Sequence, residues 1–252
     1  GLGVMGLHSF LQKKSIPLES VMSKVWNNKI FKHIQTHVDR ASKKLSDERG
    51  ACPDAEEYGF KERFSNKTAI APTASISIIC GGASPGVEPV AANSYTHKTL
   101  SGSYNVRNRY LKKILDKYGK NDDETWSSIT TNQGSVEHLN FLTKNEKDVF
   151  KTAFELDQKW IIELGANRTP FVSQAQSINI FLPADVHKKE LHQIHFQAWK
   201  KGLKSLYYCR SKSIQRAENV NDAKLIDVTA NVYKSKQQQN EQPDYDECLS
   251  CQ

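Results

Sequence analysis

The spacing of apolar residues along the chain predicts helices separated by short strands and loops. Apolar side chains recur at steps of mostly three or four residues in the helical stretches. Helices are expected over 18–45, 106–118, 143–164 and 186–201. Pro17 suits the first turn of the first of these helices. Thr143 and Glu146 form a T-x-x-E capping box that opens the third, and Gly165 would end it.

The strand predictions are shorter. Residues 75–80 form a short buried strand or a tightly packed turn into one, and residues 81–89 must be a loop because Gly and Pro dominate them. Strands are expected over 177–182 and 203–209, on either side of a helix that Gly202 closes. A strand, a helix and a second strand within about thirty residues indicate a βαβ unit, and therefore an α/β fold.

Composition is that of a globular protein. The chain has 252 residues, 38% hydrophobic and 25% charged, which excludes collagen-like and fully disordered chains. No window approaches 18 uncharged apolar residues, and the start of the chain shows no secretory signal. Beyond about residue 216 the sequence is polar and aperiodic, so we expect a domain over 1–215 and a disordered tail over 216–252.

The formal charge of +7 lies mainly in the helix-like stretches 24–44 and 188–204. Solvated helix faces explain most of this excess, and a site for a phosphate-bearing ligand or an acidic partner is the alternative. A non-catalytic helical module that binds nucleic acid through these faces is the rival function. It would need a denser basic stripe and a recognisable motif, and neither is present.

Three motif matches lack a feature that their function requires. The G-x-G-x-x-G at the start of the chain has no strand before it, as a dinucleotide site requires. In the G-x-S-x-G around Ser84 the next residue is Pro85, which has no N–H for an oxyanion hole. The histidine pairs at 33 and 37, and at 192 and 195, have no acidic companion at metal-motif spacing, so we predict no metal site.

Cysteine spacing points to redox chemistry. Cys248 and Cys251 form a C-x-x-C near the end of the chain, whereas Cys52, Cys80 and Cys209 stand alone. Without a second such pair, a redox dithiol is favoured over a zinc site. A stand-alone thiol oxidoreductase is a further alternative, but such enzymes place C-x-x-C at the start of a helix.

Two more segments carry candidate chemistry. The first, called here the 72–77 segment, comprises Pro72, Thr73, Ala74, Ser75, Ile76 and Ser77. Its small hydroxyl residues before a glycine-rich loop can offer O–H and backbone N–H donors to a phosphate. The second, called here the tyrosine pair, is Tyr207 and Tyr208 in the last predicted strand. Neighbours on an ideal strand point to opposite faces, so two stacked phenols would require the backbone to leave the ideal pleat.

At these residues the chain resembles a known family. The runs GLGVMGLHSFL, IAPTASISIICGGASPGVEP, LKSLYYCRSKS and ECLSC resemble, in this order, segments of the large catalytic subunit of class I ribonucleotide reductases. The similarity covers the whole chain and places it in the C-terminal part of that subunit. It implies part of a ten-stranded α/β barrel with peripheral helices, and a role in reducing ribonucleotides to deoxyribonucleotides in the cytoplasm.

The resemblance also implies residue roles. The 72–77 segment would bind the substrate diphosphate. The tyrosine pair would be the last step of a radical path from the small, metal-bearing subunit. Cys248 and Cys251 would accept electrons from thioredoxin or glutaredoxin and reduce an active-site disulfide. No cofactor bound directly to this chain, no nucleic acid and no membrane is expected.

Two features depart from the family pattern. Ala74 stands where some members carry an acidic residue, which disfavours acid–base chemistry at that position. The N-x-C-x-E motif of the family's radical cysteine does not occur in these 252 residues, and we expect the three isolated cysteines to be structural. The chain is therefore predicted to be a truncated sequence or one product of a split gene, and to be inactive without the N-terminal part and the small subunit.

Overall fold

The computed structural model describes residues 1–99 and 102–211. Within these ranges the chain forms nine α-helices and four short strands. The helices are α1 (Leu7–Lys13), α2 (Val21–Arg49), α3 (Pro53–Glu57), α4 (Ala74–Ile79), α5 (Arg109–Lys117), α6 (Asp123–Thr131), α7 (Lys144–Val149), α8 (Gln158–Arg168) and α9 (Lys188–Lys200). The strands are β1 (Ser94–Thr99), β2 (Gly102–Arg107), β3 (Ile180–Leu182) and β4 (Cys209–Ser211). The predicted tail, with Cys248 and Cys251, lies outside the described residues.

The predicted βαβ unit is present. Strands β3 and β4 are parallel, with Ile180 opposite Cys209 and Leu182 opposite Ser211, and α9 connects them. Gly202, with a φ of 76°, follows α9 as predicted. Both strands are shorter than expected, and β4 begins where the predicted strand over 203–209 ends.

Two isolated bridges widen the parallel arrangement. Leu2 pairs with Thr68, and Ile70 pairs with Gln176, both in parallel. The segment that contains Gln176 continues into β3. Four parallel segments therefore lie side by side, in the order 1–2, 68–70, 174–182 and 207–211. Ile178, Ile180 and Leu182 of the third segment are buried, as is usual for a strand of a parallel sheet.

Residues 75–80 are not a strand. They form most of α4, which starts after Thr73 in the left-handed conformation, with a φ of 54°. Helical hydrogen bonds, such as the one from Cys80 N–H to the Ile76 carbonyl, satisfy the backbone. The prediction of burial is also wrong, since Ile79 is 83% exposed. Local turn geometry here overrides the β propensity of the branched side chains.

The predicted helix over 143–164 is two helices. The capping box of Thr143 and Glu146 is present and opens α7. The chain then leaves the helix, and the N–H of Ala153 bonds to the carbonyl of Val90 at 2.8 Å. Gly165 lies inside α8 and does not end it. A Cβ at Gly165 would lie 2.8 Å from Cδ1 of Ile178, so this glycine permits close packing of α8 on the third parallel segment.

The remaining helix boundaries shift for local reasons. The hydroxyl of Ser20 accepts the N–H of Ser23 and caps α2, so Pro17 precedes that helix instead of lying in its first turn. The predicted helix over 106–118 begins at Arg109, after an Asn108 cap. Residues 106 and 107 belong to the antiparallel hairpin of β1 and β2, which was not predicted. Within the described ranges, no helix has the length and apolar character needed to cross a bilayer.

Candidate functional site

The tyrosine pair lies immediately before β4, with both rings on the same side of the chain. The ring centroids are 4.1 Å apart and the planes are inclined by 49°. The two phenolic oxygens are 3.3 Å apart, within hydrogen-bond range. Tyr207 and Tyr208 are 48% and 42% exposed, so they line a surface and are not part of a closed core. The backbone therefore departs from the ideal pleat at this point.

Hydrogen bonds along the third parallel segment hold the tyrosine pair. The N–H of Tyr207 donates to the carbonyl of Ile178, and the carbonyl of Tyr208 accepts from Ile180, each at 2.9 Å. The N–H of Tyr208 donates instead to a side chain, Oδ1 of Asn179, at 3.0 Å. The N–H of Tyr208 thus has a side-chain acceptor, whereas the N–H of Tyr207 has a backbone acceptor.

A buried polar group lies beside this contact. Glu88 is 7% exposed, and Asn179 is 1% exposed. Burial raises the pKa of Glu88 to about 7, and the amide of Asn179 and the positive charge of Arg210 oppose that rise. Arg210 belongs to β4, two residues after Tyr208. The carboxyl group therefore titrates near neutral pH at the base of the tyrosine pair.

In the 72–77 segment, two hydroxyl groups are engaged in the fold. Oγ1 of Thr73 accepts the N–H of Gly86 at 2.7 Å, and the hydroxyl of buried Ser77 donates to the carbonyl of Ala74 at 2.8 Å. Ser75 is exposed. The first N–H groups of α4 have no acceptor within the helix. The donors that remain open are these backbone N–H groups, the hydroxyl of Ser75 and the O–H proton of Thr73.

The register of the parallel segments relates the two sites. Ile70 pairs with Gln176, which lies two residues before Ile178 on the third segment. Tyr207 bonds to the same Ile178 from the other side. Since neighbouring strands lie about 4.8 Å apart, the 72–77 segment leaves the sheet about 10 Å to the side of the tyrosine pair.

The isolated cysteines occupy varied positions. Cys80 and Cys209 are exposed and Cys52 is half-buried, and all three thiols are free. Cys80 ends α4, and Cys209 follows the tyrosine pair.

The rings of His33 and His37 are 4.3 Å apart on α2. In the part of the chain that the structure describes, no group of three or more His, Cys, Asp or Glu residues could hold a metal ion.

Sequence reasoning missed Glu88 and Asn179. Glu88 lies in the V-E-P at the end of the glycine-rich loop, and Asn179 is the one amide in the apolar run S-I-N-I-F. A single polar residue within a buried strand signals a specific partner, because a buried amide needs hydrogen bonds. The partner itself was not visible, since Glu88 is 91 positions away from Asn179 in the chain.

A family model for the ribonucleotide reductase barrel domain matches residues 1–62 and 54–209. The chain belongs to this family. The large subunit of the ribonucleoside-diphosphate reductase of Invertebrate iridescent virus 6 is 47% identical over 230 residues, which are 90% of this chain and 24% of the relative. The large chain 2 of the Saccharomyces cerevisiae enzyme is 31% identical over 247 residues, covering 86% of this chain and 28% of the relative.

A solved structure of this family has the same fold. The alpha subunit of the class Id ribonucleotide reductase of Actinobacillus ureae matches with a TM-score of 0.78 and 39% identity, over 84% of this chain and 39% of that one. The predicted resemblance and the predicted fold class, part of the reductase barrel, are therefore confirmed. The chain spans 24% to 39% of the length of three viral large subunits that it matches.

Proposed function

We propose that this chain supplies the substrate-phosphate segment, the radical-transfer tyrosines and the redox dithiol of a ribonucleoside-diphosphate reductase. Membership of the reductase barrel family supports the reaction class. The observation that carries the proposal is the contact of Tyr207 with Tyr208, whose phenolic oxygens are 3.3 Å apart at an exposed edge of the parallel segments. Two tyrosines that only filled a hydrophobic core would be buried, and their phenolic oxygens would not need to lie in contact.

In the proposed reaction, the 72–77 segment binds the diphosphate of a ribonucleotide. The backbone N–H groups at the start of α4 and the hydroxyl of Ser75 favour an anion as the ligand, because each can donate a hydrogen bond. The segment itself contains no cationic side chain. Thr73 and Ser77 mainly hold the segment in shape through their bonds to Gly86 and Ala74.

The tyrosine pair carries the oxidising equivalent from a small, metal-bearing subunit to the substrate site. Each phenol in turn gives up one electron and its phenolic proton, and becomes a neutral radical. The 3.3 Å separation of the oxygens allows the proton to pass from one phenol to the other while the electron moves in the same direction. Exposure of both rings leaves an open face for the partner.

The proposed dithiol, Cys248 and Cys251, supplies the electrons for the reduction. Replacing the 2′-hydroxyl of the sugar by hydrogen releases water and uses two electrons and two protons, which a pair of active-site thiols provides as it becomes a disulfide. Cys248 and Cys251 reduce that disulfide by thiol–disulfide exchange and are themselves reduced by thioredoxin or glutaredoxin. A thiolate is needed for each exchange step.

Turnover requires partners. The 252 residues lack the N-x-C-x-E motif, so the cysteine that abstracts hydrogen comes from the N-terminal part of the large subunit. The small subunit brings the metal and the radical, and this chain binds neither a metal nor a cofactor directly. Because the proposed reductants are thioredoxin or glutaredoxin, we expect the reaction to take place in the cytoplasm.

The radical role is tested with Tyr207→Phe and Tyr208→Phe in the complex of this chain with the N-terminal part and the small subunit. Phenylalanine cannot lose a phenolic proton, so each variant should lose at least about a hundredfold in turnover, which corresponds to about 2.7 kcal/mol in the barrier. Tyr104→Phe, which changes another exposed tyrosine, is the matched control and should keep full turnover. Full turnover in both pair variants would refute the radical path.

The shuttle role is tested with Cys248→Ser. This variant should lose turnover driven by thioredoxin but keep turnover driven by a small dithiol that reaches the buried disulfide directly. Cys52→Ser, which removes a half-buried free cysteine, is the control and should keep both. Loss of both activities in Cys248→Ser would contradict the shuttle.

A further inference from the structure

Glu88 and Asn179 form a buried acceptor and donor beside the tyrosine pair, and the proposed reaction uses neither. Among the residues that the structure describes, Oε1 of Glu88 and Nδ2 of Asn179 are buried without a hydrogen-bond partner. The two groups are neighbours, and the side-chain amide of Asn179 interacts directly with the carboxyl group of Glu88. An unpaired acceptor beside an unpaired donor is satisfied by a direct hydrogen bond or through one water molecule.

The other end of the Asn179 amide holds the tyrosine pair. Its Oδ1 accepts the N–H of Tyr208, whereas Tyr207 is held by backbone groups. This arrangement works in only one orientation of the amide, because a flipped amide would place its own N–H groups against the N–H of Tyr208. A carboxyl oxygen next to Nδ2 selects the productive orientation.

The segment that carries Glu88 also touches the other candidate site. Two residues before it, the N–H of Gly86 donates to Thr73. A Cβ at Gly86 would lie 2.8 Å from the carbonyl oxygen of Ala71 and 3.5 Å from that of Pro72, so the backbone here packs closely against the start of the 72–77 segment. The backbone next to Glu88 is therefore bonded to the 72–77 segment, and the Glu88 side chain contacts Asn179 beside the tyrosine pair.

We infer that Glu88 is a positioning residue for the tyrosine pair, which fixes the Asn179 amide so that Oδ1 receives the Tyr208 N–H and the two phenols stay in contact. Its part in radical transfer rests on the proposed function, but its part in the geometry does not. Arg210 faces the same carboxyl group from β4 and is the charged group next to it.

Amide hydrogen exchange of the full 252-residue chain, labelled with nitrogen-15 at tyrosine, tests the geometry. Glu88→Met keeps a side chain of similar size but has no acceptor, and Glu88→Ala is the second variant. Exchange at Tyr208 should become at least tenfold faster in both, while exchange at Tyr207 stays within twofold. Glu88→Gln, which retains an acceptor, should restore Tyr208 to within threefold of the wild type.

Two controls separate positioning from general loosening. Glu57→Met changes an exposed glutamate, and Ile129→Val weakens a different buried cluster. Neither should change the ratio of the Tyr208 rate to the Tyr207 rate. Unchanged exchange at Tyr208 in Glu88→Met, or equal acceleration at both tyrosines, would overturn the inference.

Turnover of the complex with the N-terminal part and the small subunit tests the role in the reaction. Glu88→Met should lower kcat at least tenfold and leave the substrate KM within twofold, with rescue by Glu88→Gln. Wild-type kcat in Glu88→Met would overturn the role in the reaction. Failure of the proposed function itself is distinguishable, because it would show as full turnover in Tyr207→Phe and Tyr208→Phe while the exchange result stands unaffected.

Discussion

Two buried titratable groups, His8 and Glu88, should make opposite contributions to the pH dependence of the free energy of unfolding. His8 in α1 is buried and accepts the N–H of Val90 through Nδ1 at 3.0 Å, and burial lowers its pKa from 6.5 to about 4. Glu88 lies two residues before Val90, and burial raises its pKa from 4.5 to about 7. Both groups therefore favour their neutral forms in the folded chain.

The signs of the two contributions differ. Between pH 4 and 6.5 the unfolded chain binds a proton at His8 that the folded chain does not, so stability falls as the pH falls. Between pH 4.5 and 7 the folded chain holds a proton on Glu88 that the unfolded chain has lost, so stability falls as the pH rises. Each difference corresponds to about 3 kcal/mol in full, and to about 2 kcal/mol between pH 4.5 and 6.5. In the wild type the two slopes cancel.

Urea unfolding followed by tryptophan fluorescence at pH 4.5, 5.5 and 6.5 separates the two groups. Glu88→Gln should become about 2 kcal/mol more stable, relative to the wild type, as the pH rises over this range. His8→Asn, which keeps an acceptor near the position of Nδ1, should become less stable by a similar amount. Glu57→Gln should run parallel to the wild type, because Glu57 is exposed. If the difference between Glu88→Gln and the wild type changes by less than about 0.5 kcal/mol, the burial argument is wrong.

Two stability predictions concern backbone geometry and capping. Gly134 has a φ of 81°, and a Cβ there would lie 2.4 Å from that of Ala92, so Gly134→Ala should lower the free energy of unfolding by about 2–5 kcal/mol. Gly119→Ala, at a φ of 65° with open space around it, should lose only about 1–2 kcal/mol, and equal losses in the two variants would contradict the steric argument. Thr143→Ala removes one half of the capping box with Glu146 and should lower the free energy of unfolding by about 1 kcal/mol, again by urea unfolding, while an unchanged midpoint would count against the cap.

The sequence predicted those elements that depend on residues close to one another in the chain. The capping box at Thr143 needs only four residues in sequence, and the apolar period of α2 and the βαβ unit extend over long stretches, so all three were predicted from the sequence. The break between α7 and α8 was not predicted, because its cause is distant. Lys151 pairs with Glu19 at 2.7 Å and Ala153 bonds to Val90, and both contacts pull the chain out of a helix that its own pattern would continue.

Glycines were the least reliable signal. Gly202 ends α9 as its position after the apolar period predicts, but Gly165 lies in the middle of α8. The two cannot be distinguished in sequence, since both follow a helical run. The two glycines differ in their spatial surroundings. Ile178 and Leu203 approach Gly165 so closely that a Cβ there would lie 2.8 and 3.2 Å from them. Close approach between elements is a tertiary property.

The candidate site divides in the same way. The sequence was enough to select the 72–77 segment and the tyrosine pair as candidate sites. It could not show which of their hydroxyl groups form hydrogen bonds within the fold. Thr73 and Ser77 are predicted to serve a ligand, and the structure adds that the hydroxyl group of each also makes a hydrogen bond within the fold.

The tyrosine pair shows how buried polar groups can fix the geometry of two exposed side chains. Two phenols whose oxygens lie 3.3 Å apart have their rings on one side of the chain, which an ideal strand does not permit. At this departure from the pleat the N–H of Tyr208 donates to a buried side chain, Oδ1 of Asn179. That amide in turn needs a partner for its other end, and the buried carboxyl group of Glu88 lies beside it. The two rings therefore remain exposed, while the buried side chains of Asn179 and Glu88 hold the backbone beneath them.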